Sequence, residues 1–231
     1  MNYALAGFSL TAHLLLLTGT AWAQATFRIG PHLGLNRSTA SYFADAYRPS
    51  ARTGFEAGVV GSLMLRNVSL QPALLFSQKG YFLTSGTDQN SGFNNDNFRL
   101  NYLTLPLKVV VGARKDGQGV HVLAGAYLGL LLGGYYERAF TFNQRTTVTA
   151  GPIIPDQKPL SYEEYSSQRL DAGFIVGVGY RYKRAQLHAD FTWGGTNLAV
   201  GYQFKGPNYE NPFYRNQALQ ASLAYFFDTK S

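Results

Sequence analysis

The chain has 231 residues, of which 45% are hydrophobic and only 14% are charged, with a formal net charge of +7 and no cysteine. This length suits a single sizeable domain, and the lack of cysteine excludes disulfide bonds, thiolate catalysis and cysteine-ligated metals. Because lysine and arginine are scattered along the chain rather than grouped in runs, we expect no nucleic-acid partner.

Residues 1–23 are typical of an export signal. The run Leu14–Leu17 forms an apolar core, and Ala21-Trp22-Ala23 supplies the small-x-small pattern that precedes a cleavage site. The core is too short to span a bilayer comfortably as a helical anchor. We therefore predict a signal peptide at residues 1–23, cleaved after Ala23, followed by one barrel domain at residues 24–231.

Beyond the signal, apolar residues alternate with small or polar residues at every second position, a period that predicts β-strands. In chain order, the predicted strands cover residues 27–36, 54–63, 68–79, 102–111, 120–133, 170–181, 186–193 and 218–227. Each is near the roughly 9–11 residues with which a tilted strand crosses a bilayer.

The connections between these segments alternate between long and short. The short ones contain Arg66-Asn67, residues 114–119 and Lys183-Arg184. The long ones surround Asp45, Asn95, Gly151 and Tyr209. Tight turns on one side and long loops on the other are typical of a membrane barrel. The sequence therefore predicts an all-β fold, an eight-stranded antiparallel transmembrane up-and-down β-barrel.

Alternation alone does not say which face of each strand looks inward. A soluble barrel of the lipocalin type would place its aliphatic face inside. The second face is rich in glycine, alanine and serine, which suits a narrow barrel interior better than a strand face in water. The aliphatic face carries aromatic residues near strand ends, as in membrane girdles; these are Tyr180, Trp193, Tyr225 and Phe227. We therefore favour the membrane barrel over the soluble one.

If the barrel spans a membrane, a set of charged residues and histidines faces its lumen. Because buried charges need partners, we interpret this set as a structural network of ion pairs that fills the tube. Its predicted members are Arg28, His32, Glu56, Lys79, Lys108, Asp171, Arg181, His188 and Asp190, with His121 also facing inward. A path for protons or small solutes is the alternative, although eight strands leave little room.

No pattern in the sequence is typical of a catalytic or metal site. The histidines lack the close spacing of a ligand pair, and His188 with Asp190 is a weak signal. We expect no enzymatic activity, no cofactor and no metal. The loop Ser85–Asn97 and the longest connection, Glu137–Gln168, are predicted to be polar loops. Within the latter, a possible partner-binding patch comprises Tyr162, Glu163, Glu164 and Tyr165.

Four stretches carry a family resemblance: residues 70–80 (LQPALLFSQKG), 101–112 (NYLTLPLKVVVG), 170–180 (LDAGFIVGVGY) and 219–227 (LQASLAYFF). Together they resemble the PorT-like outer-membrane β-barrel proteins of Bacteroidetes-type bacteria. The resemblance implies an eight-stranded outer-membrane barrel with both termini in the periplasm and a final aromatic strand read by the barrel-assembly machinery. The family's named member is associated with type IX protein secretion and gliding.

These observations lead to a functional prediction. We expect a monomeric outer-membrane barrel that contacts outer-membrane lipid and lipopolysaccharide and serves as a structural or interaction platform. Its long loops are the expected site of any protein partner. A small passive pore, a porin-like transporter, is the alternative function.

Overall fold

The computed structural model describes residues 26–42, 48–86, 92–157, 165–200 and 213–228. The predicted signal peptide lies outside these ranges. Among the described residues, no helix has both the length and the apolar character needed to cross a bilayer. In chain order the strands are β1 (Thr26–Tyr42), β2 (Arg48–Leu65), β3 (Val68–Gly86), β4 (Phe93–Gly112), β5 (Gly119–Phe142), β6 (Arg145–Pro155), β7 (Tyr165–Ser167), β8 (Leu170–Tyr182), β9 (Ala185–Gly194), β10 (Tyr214–Tyr225) and β11 (Phe227–Asp228).

Eight of these strands close into a ring in the order β1-β2-β3-β4-β5-β8-β9-β10. The ring is sealed by antiparallel pairing of β10 with β1, for example Leu35 opposite Ala221. Every other neighbouring pair in the ring is also antiparallel. This closure confirms the predicted eight-stranded antiparallel barrel, and it leaves the ring without an unpaired sheet edge.

The aliphatic face of each strand points out of the ring. Leu33, Leu170 and Phe174 are 62%, 64% and 69% exposed, whereas Lys108 and Asp171 are buried inside. A soluble carrier would show the opposite arrangement, with its apolar residues around an inner cavity. The outer surface therefore has the polarity that suits lipid, and the soluble alternative does not describe this fold.

The outward apolar residues form a band around the ring, called here the apolar belt. It runs from Phe27 to Leu35 on β1, from Leu103 to Val111 on β4 and from Leu170 to Tyr180 on β8. Each stretch is close to the roughly 9–11 residues of a bilayer-spanning strand. At the boundary of the belt farther from the short turns, the outward residues are polar. There Gln78 Nε2 donates a hydrogen bond to Asn101 Oδ1 at 3.2 Å.

The predicted girdle aromatics all lie on the outer surface of the ring. Tyr180, Tyr225 and Phe227 are exposed near the end with short turns, and Trp193 is exposed towards the opposite end. Aromatic rings favour the boundary between lipid and water because they combine an apolar body with a polarisable or polar edge. Their positions mark the two limits of the apolar belt.

The end with short connections is called here the short-turn end. Arg66 and Lys183 adopt positive φ angles of 55° and 54° in the tight turns between β2 and β3 and between β8 and β9. The opposite end, where the predicted long connections lie, is called the long-loop end. The structure therefore shows the predicted tight turns at one end, whereas the predicted long connections around Asp45 and Tyr209 lie outside the described residues.

Two of the predicted loops at the long-loop end are wrong, because the chain there is paired. Asn95 lies within β4 opposite Thr84 of β3. Gly151 lies within β6 opposite Tyr136 of β5. The residues predicted as loop supply cross-strand hydrogen bonds, so the strands run past the belt as hairpins instead of ending at it.

The hairpin of β5 and β6 turns at Asn143 and Gln144, whose φ angles are 47° and 61°. Two consecutive positive φ angles are the geometry of a type I′ turn, which matches the twist of a hairpin. Asparagine tolerates this conformation better than most residues. The sequence lacks the glycine that usually signals such a turn, which explains why the hairpin was not predicted.

On the side away from β4, strand β5 pairs with two different strands along its length. Its first part, up to Leu130, pairs with β8 in the ring, whereas its last part, from Gly134, pairs with β6. Between them the register against β4 shifts by one residue, and Gly133 has a φ angle of 152°. This β-bulge lies where the second partner of β5 changes from β8 to β6. The parts of β3, β4, β5 and β6 beyond the belt are called here the protruding sheet; they cover residues 78–86, 93–101, 134–142 and 145–155.

Candidate functional site

The centre of the lumen is organised around the carboxylate of Asp171 on β8. The Tyr127 hydroxyl donates to both of its oxygens at 3.2 Å. Asn216 Nδ2 donates to Oδ2 at 3.0 Å, and Lys79 Nζ lies 3.5 Å from the same oxygen. Lys79 also stands 4.4 Å from the centre of the Tyr127 ring. One buried carboxylate thus joins side chains from four strands.

Two further charged groups occupy the same part of the lumen. Lys108 Nζ forms a short buried ion pair with Asp190 Oδ2. Across the barrel, His32 Nε2 lies 2.7 Å from Glu56 Oε1, and Gln220 Nε2 donates to Glu56 Oε2 at 3.1 Å. Pairing each carboxylate with a cation or donor offsets the cost of removing it from water. These groups and the Asp171 group are called here the polar network.

Nearer the short-turn end, two histidines meet around Gln186. Gln186 Nε2 lies 2.7 Å from His188 Nε2 and 3.2 Å from His121 Nε2, and its Oε1 accepts from Gln71 Nε2 at 3.2 Å. A Cβ built on Gly179 would lie 2.3 Å from His121 Nε2, so the wall glycine makes room for the rings. His188 and Asp190 therefore have different partners, and the structure does not bring them into one shared site.

The two predicted arginines of the network lie apart from its centre. Arg181 is buried beside the last turn, where its Nε donates to Lys183 O at 3.3 Å and its guanidinium stands 5.4 Å from the Phe226 ring. Arg28 is half-buried at the start of β1, in the row opposite Asp228. The structure therefore brings together six of the nine predicted residues in the polar network: His32, Glu56, Lys79, Lys108, Asp171 and Asp190.

Towards the long-loop end, the polar lumen gives way to an aromatic layer. Its rings are Tyr81, Phe98, Tyr102, Tyr136 and Tyr214, packed with buried aliphatic side chains such as Leu100 and Leu131. The Tyr81 ring centre lies 4.7 Å from that of Phe98 and 5.8 Å from that of Tyr214. The sequence alone did not predict this layer, because the inward face of β3 changes from polar residues such as Ser77 and Lys79 to the apolar residues Tyr81 and Leu83. The layer places large apolar side chains across the mouth of the ring.

An ion pair and a tyrosine cover the aromatic layer. Arg138 donates to both oxygens of Asp96 at 3.0 and 3.1 Å, and the Tyr165 hydroxyl donates to Asp96 Oδ2 at 2.8 Å. The Tyr165 ring packs on Tyr136 and Phe98 with centres 4.5 and 4.8 Å apart. Burial raises the pKa of Asp96, and the charge of Arg138 counteracts this shift.

The predicted partner patch is therefore only partly a surface feature. Tyr165 is half-buried and starts β7, which pairs in parallel with β6 through Ile153. Its hydroxyl and ring are used inside the molecule, which contradicts its assignment to an exposed loop. Tyr162, Glu163 and Glu164 lie outside the described residues.

Two small cavities lie inside the described part of the barrel. A cavity of about 20 Å³ lies among Glu56, Lys79, Lys108 and Tyr127. A second cavity of about 10 Å³ lies beside His121 and Arg181 on the short-turn side. Spaces of this size hold about one water molecule each. Within the ranges that the structure describes, no group of three metal-ligating side chains is present.

A family model described as the outer membrane protein beta-barrel domain matches residues 22–200. The chain belongs to this family. This outer-membrane barrel protein therefore has its apolar belt in contact with the lipid bilayer. Comparison with curated protein sequences gives no match.

Three solved structures illustrate what the barrel is similar to. Neisserial surface protein A (NspA) is 14% identical, with 88% of this chain and 99% of that chain covered and a TM-score of 0.43. Ail, the attachment invasion locus protein of Yersinia pestis, is 10% identical, with 87% and 99% covered and a TM-score of 0.43. OprG from Pseudomonas aeruginosa is 8% identical, with 89% and 97% covered and a TM-score of 0.42.

Proposed function

We propose that this outer-membrane barrel does not conduct solutes and serves as a platform for protein partners. The observation that supports the proposal is the packing of the lumen by the polar network and the aromatic layer; two cavities among the described residues measure about 20 and 10 Å³. A permeating solute would have to displace buried ion pairs such as Lys108–Asp190. An eight-stranded ring is barely wide enough for its own side chains.

The protruding sheet provides the surface on which a partner would bind. Outside the belt, Tyr135, Val148 and Ile154 are 49%, 59% and 47% exposed. They share the outward face, since their neighbours Tyr136 and Ile153 point inward. Large apolar side chains exposed to water beyond the lipid are typical of interaction surfaces.

The resemblance to PorT-like proteins supports a more specific role. It suggests that the partner belongs to a type IX secretion machinery, that both termini lie in the periplasm and that the protruding sheet is outside. It also suggests that the barrel-assembly machinery reads the last strand, whose outward residues end in Tyr225 and Phe227. The barrel is proposed to act as a monomer, because its ring is complete within one chain.

The passive pore is the second functional candidate from the sequence, and conductance separates the two. The purified protein, inserted into planar bilayers, is expected to give no steady channel current. A matched variant, Lys108→Ala with Asp190→Ala, tests whether the assay detects an opened lumen. Stable currents from the unmodified protein would contradict the platform proposal.

Partner binding is tested by photo-crosslinking in the native host. A photoreactive phenylalanine analogue at Tyr135 or Val148 is expected to crosslink a discrete protein, and the same analogue at Lys115 on the short-turn end serves as control. If the secretion link holds, deleting the gene should retain type IX cargo in the periplasm. Crosslinks only at Lys115, together with normal cargo release, would overturn the proposed role.

A further inference from the structure

Three arginines lie on the outer surface just beyond the belt at the long-loop end. Arg37 on β1 stands opposite Thr53 of β2, and Arg52 precedes Thr53 where β2 is irregular against β3. Arg99 of β4 stands opposite Gly80 of β3. A Cβ on Gly80 would lie 3.2 Å from Arg52 Cδ, so the Arg52 side chain lies over this glycine towards Arg99. These three residues are called here the arginine cluster.

No carboxylate neutralises the arginine cluster within the described part of the chain, where all recorded ion pairs involve other residues. Arg52 Nε donates to Asn97 Oδ1 at 3.1 Å, whereas its Nη1 is buried with no hydrogen-bond partner among the described residues. Burial, and then the nearby Arg99 guanidinium, lower the pKa of Arg52. Glu137 shares this face but stands opposite Asn97, one row further from the belt than Arg99. The cluster thus offers positive charge to an anion, and Arg37 and Arg99 are exposed.

A depression in the apolar belt begins directly beside Arg37. It has a volume of about 290 Å³ and is lined by Arg37, Leu35 and Leu219 together with two alanines. Ala189 of β9 stands opposite Ala221 of β10, and Ala221 stands opposite Leu35 of β1. Two small residues in adjacent strands leave the gap, and the leucines form its sides. Its shape and apolar lining suit a hydrocarbon chain.

We propose that the arginine cluster and this depression together bind a phosphorylated glycolipid of the outer leaflet, of the lipid A type. The lipid phosphate accepts hydrogen bonds from Arg37 and Arg52, and one acyl chain lies against Ala189 and Ala221. Guanidinium groups suit phosphate because they offer two parallel donors and a fixed charge. The inference rests on the proposed orientation, which places the long-loop end outside.

The test uses the full-length protein extracted in detergent and titrated with lipids under native mass spectrometry. Diphosphorylated lipid A is expected to bind at least about tenfold more tightly than the same lipid without phosphates. The double variant Arg37→Gln with Arg52→Gln should weaken this binding about tenfold, and Ala189→Leu with Ala221→Leu should also weaken it. Inorganic phosphate should not compete, because it has no chain to fill the depression.

Two matched controls carry the same chemical changes elsewhere. Arg114→Gln removes an exposed arginine at the short-turn end, and Ala126→Leu fills an outward position on β5; both should bind lipid A as the unmodified protein does. Heat-modifiable migration verifies folding of each variant. The arginine variant decides the case if the alanine variant fails to fold, since Arg37 and Arg52 lie outside the belt.

Three outcomes would overturn the inference. Equal affinity for lipid A with and without phosphates removes the role of the arginines. An equal loss of lipid A affinity in Arg114→Gln would show that positive charge attracts the lipid without a specific site. A lipid-free dimer that Ala221→Leu abolishes assigns the depression to a second copy of this chain. If lipid A does not bind but Tyr135 still crosslinks a protein partner, the platform proposal stands. If Tyr135 crosslinks no partner but lipid A binds as expected, the lipid site stands.

Discussion

Asp171 shows how single residues stabilise a narrow barrel from inside. It is buried, and it accepts hydrogen bonds from Tyr127 and Asn216 while Lys79 supplies the opposite charge. A carboxylate in this position without partners would cost several kcal/mol. Each of its partners lies on a different strand, so one side chain links β3, β5, β8 and β10 across the lumen. The interior charges therefore act as cross-links between strands that are distant in sequence.

The buried pair Lys108–Asp190 allows a direct test at this scale. Asp190→Asn keeps the size of the side chain but leaves the Lys108 ammonium inside the barrel without a counter-charge. We expect the free energy of unfolding to fall by about 3–5 kcal/mol, measured by urea titration in lipid vesicles. Replacing both residues, as in Lys108→Met with Asp190→Leu, should restore most of the loss.

The matched control is the exposed pair of Arg114 and Asp116, whose side chains are 69% and 50% exposed. Asp116→Asn should leave the urea midpoint unchanged, because water already screens this pair. An Asp190→Asn variant that unfolds at the same urea concentration as the unmodified protein would show that the buried pair contributes nothing to stability.

Among the elements, β5 links the ring to the protruding sheet. It pairs with β8 up to Leu130 and with β6 from Gly134, and the change of partner occurs at the bulge around Gly133. A glycine is required there because a φ of 152° is unfavourable for any residue with a side chain. The bulge thus separates the membrane-spanning part of the strand from the part that is available to partners.

Gly133→Val is expected to loosen the protruding sheet without unfolding the ring. The strain of about 1–3 kcal/mol falls on the bulge alone, so trypsin should cut faster at Arg138 and Arg145 while heat-modifiable migration persists. Gly61→Val is the control, since a Cβ on Gly61 meets no atom closer than 3.6 Å. Identical digestion of the two variants would mean that the bulge does not control the sheet.

At the scale of the whole molecule, the two ends of the barrel differ in kind. The short-turn end is closed by tight turns and carries Arg66, Arg114 and Lys183. The long-loop end carries the aromatic layer, the protruding sheet and the arginine cluster. Outer-membrane barrels have short periplasmic turns and longer extracellular loops, so the proposed direction places the protruding sheet outside the cell.

This orientation is tested with single cysteines, which are specific because the chain has none of its own. In intact cells, a membrane-impermeant maleimide should label Thr147→Cys in the exposed part of β6. Lys115→Cys at the short-turn end should react only after the outer membrane is permeabilised. The opposite labelling pattern would place the protruding sheet in the periplasm and would remove the basis of the lipid A site.

Local pattern in the sequence was enough to predict the eight ring strands and the inward direction of residues such as Lys108 and Asp171. Successive side chains of a strand point to opposite faces, so the sequence of one strand is enough to assign its two faces. The continuation of β4 through Asn95 and the hairpin at Asn143–Gln144 were missed. The polar residues around Asn95 resemble a loop in the sequence, because their pairing depends on a neighbouring strand. The turn at Asn143–Gln144 lacks the glycine that usually indicates a hairpin.

The partners of the inward residues were decided only by the closed ring. Nothing in the sequence pairs Lys79 with Asp171 or Lys108 with Asp190, because the stagger between strands sets which residues reach the same level of the lumen. The same closure aligns Ala189, Ala221 and Leu35 in one row and places Arg37 beside the depression that they form. The sequence by itself determined which residues face lipid and which face the lumen. The tertiary structure decided which of them meet, since register across eight strands is a property of the whole barrel.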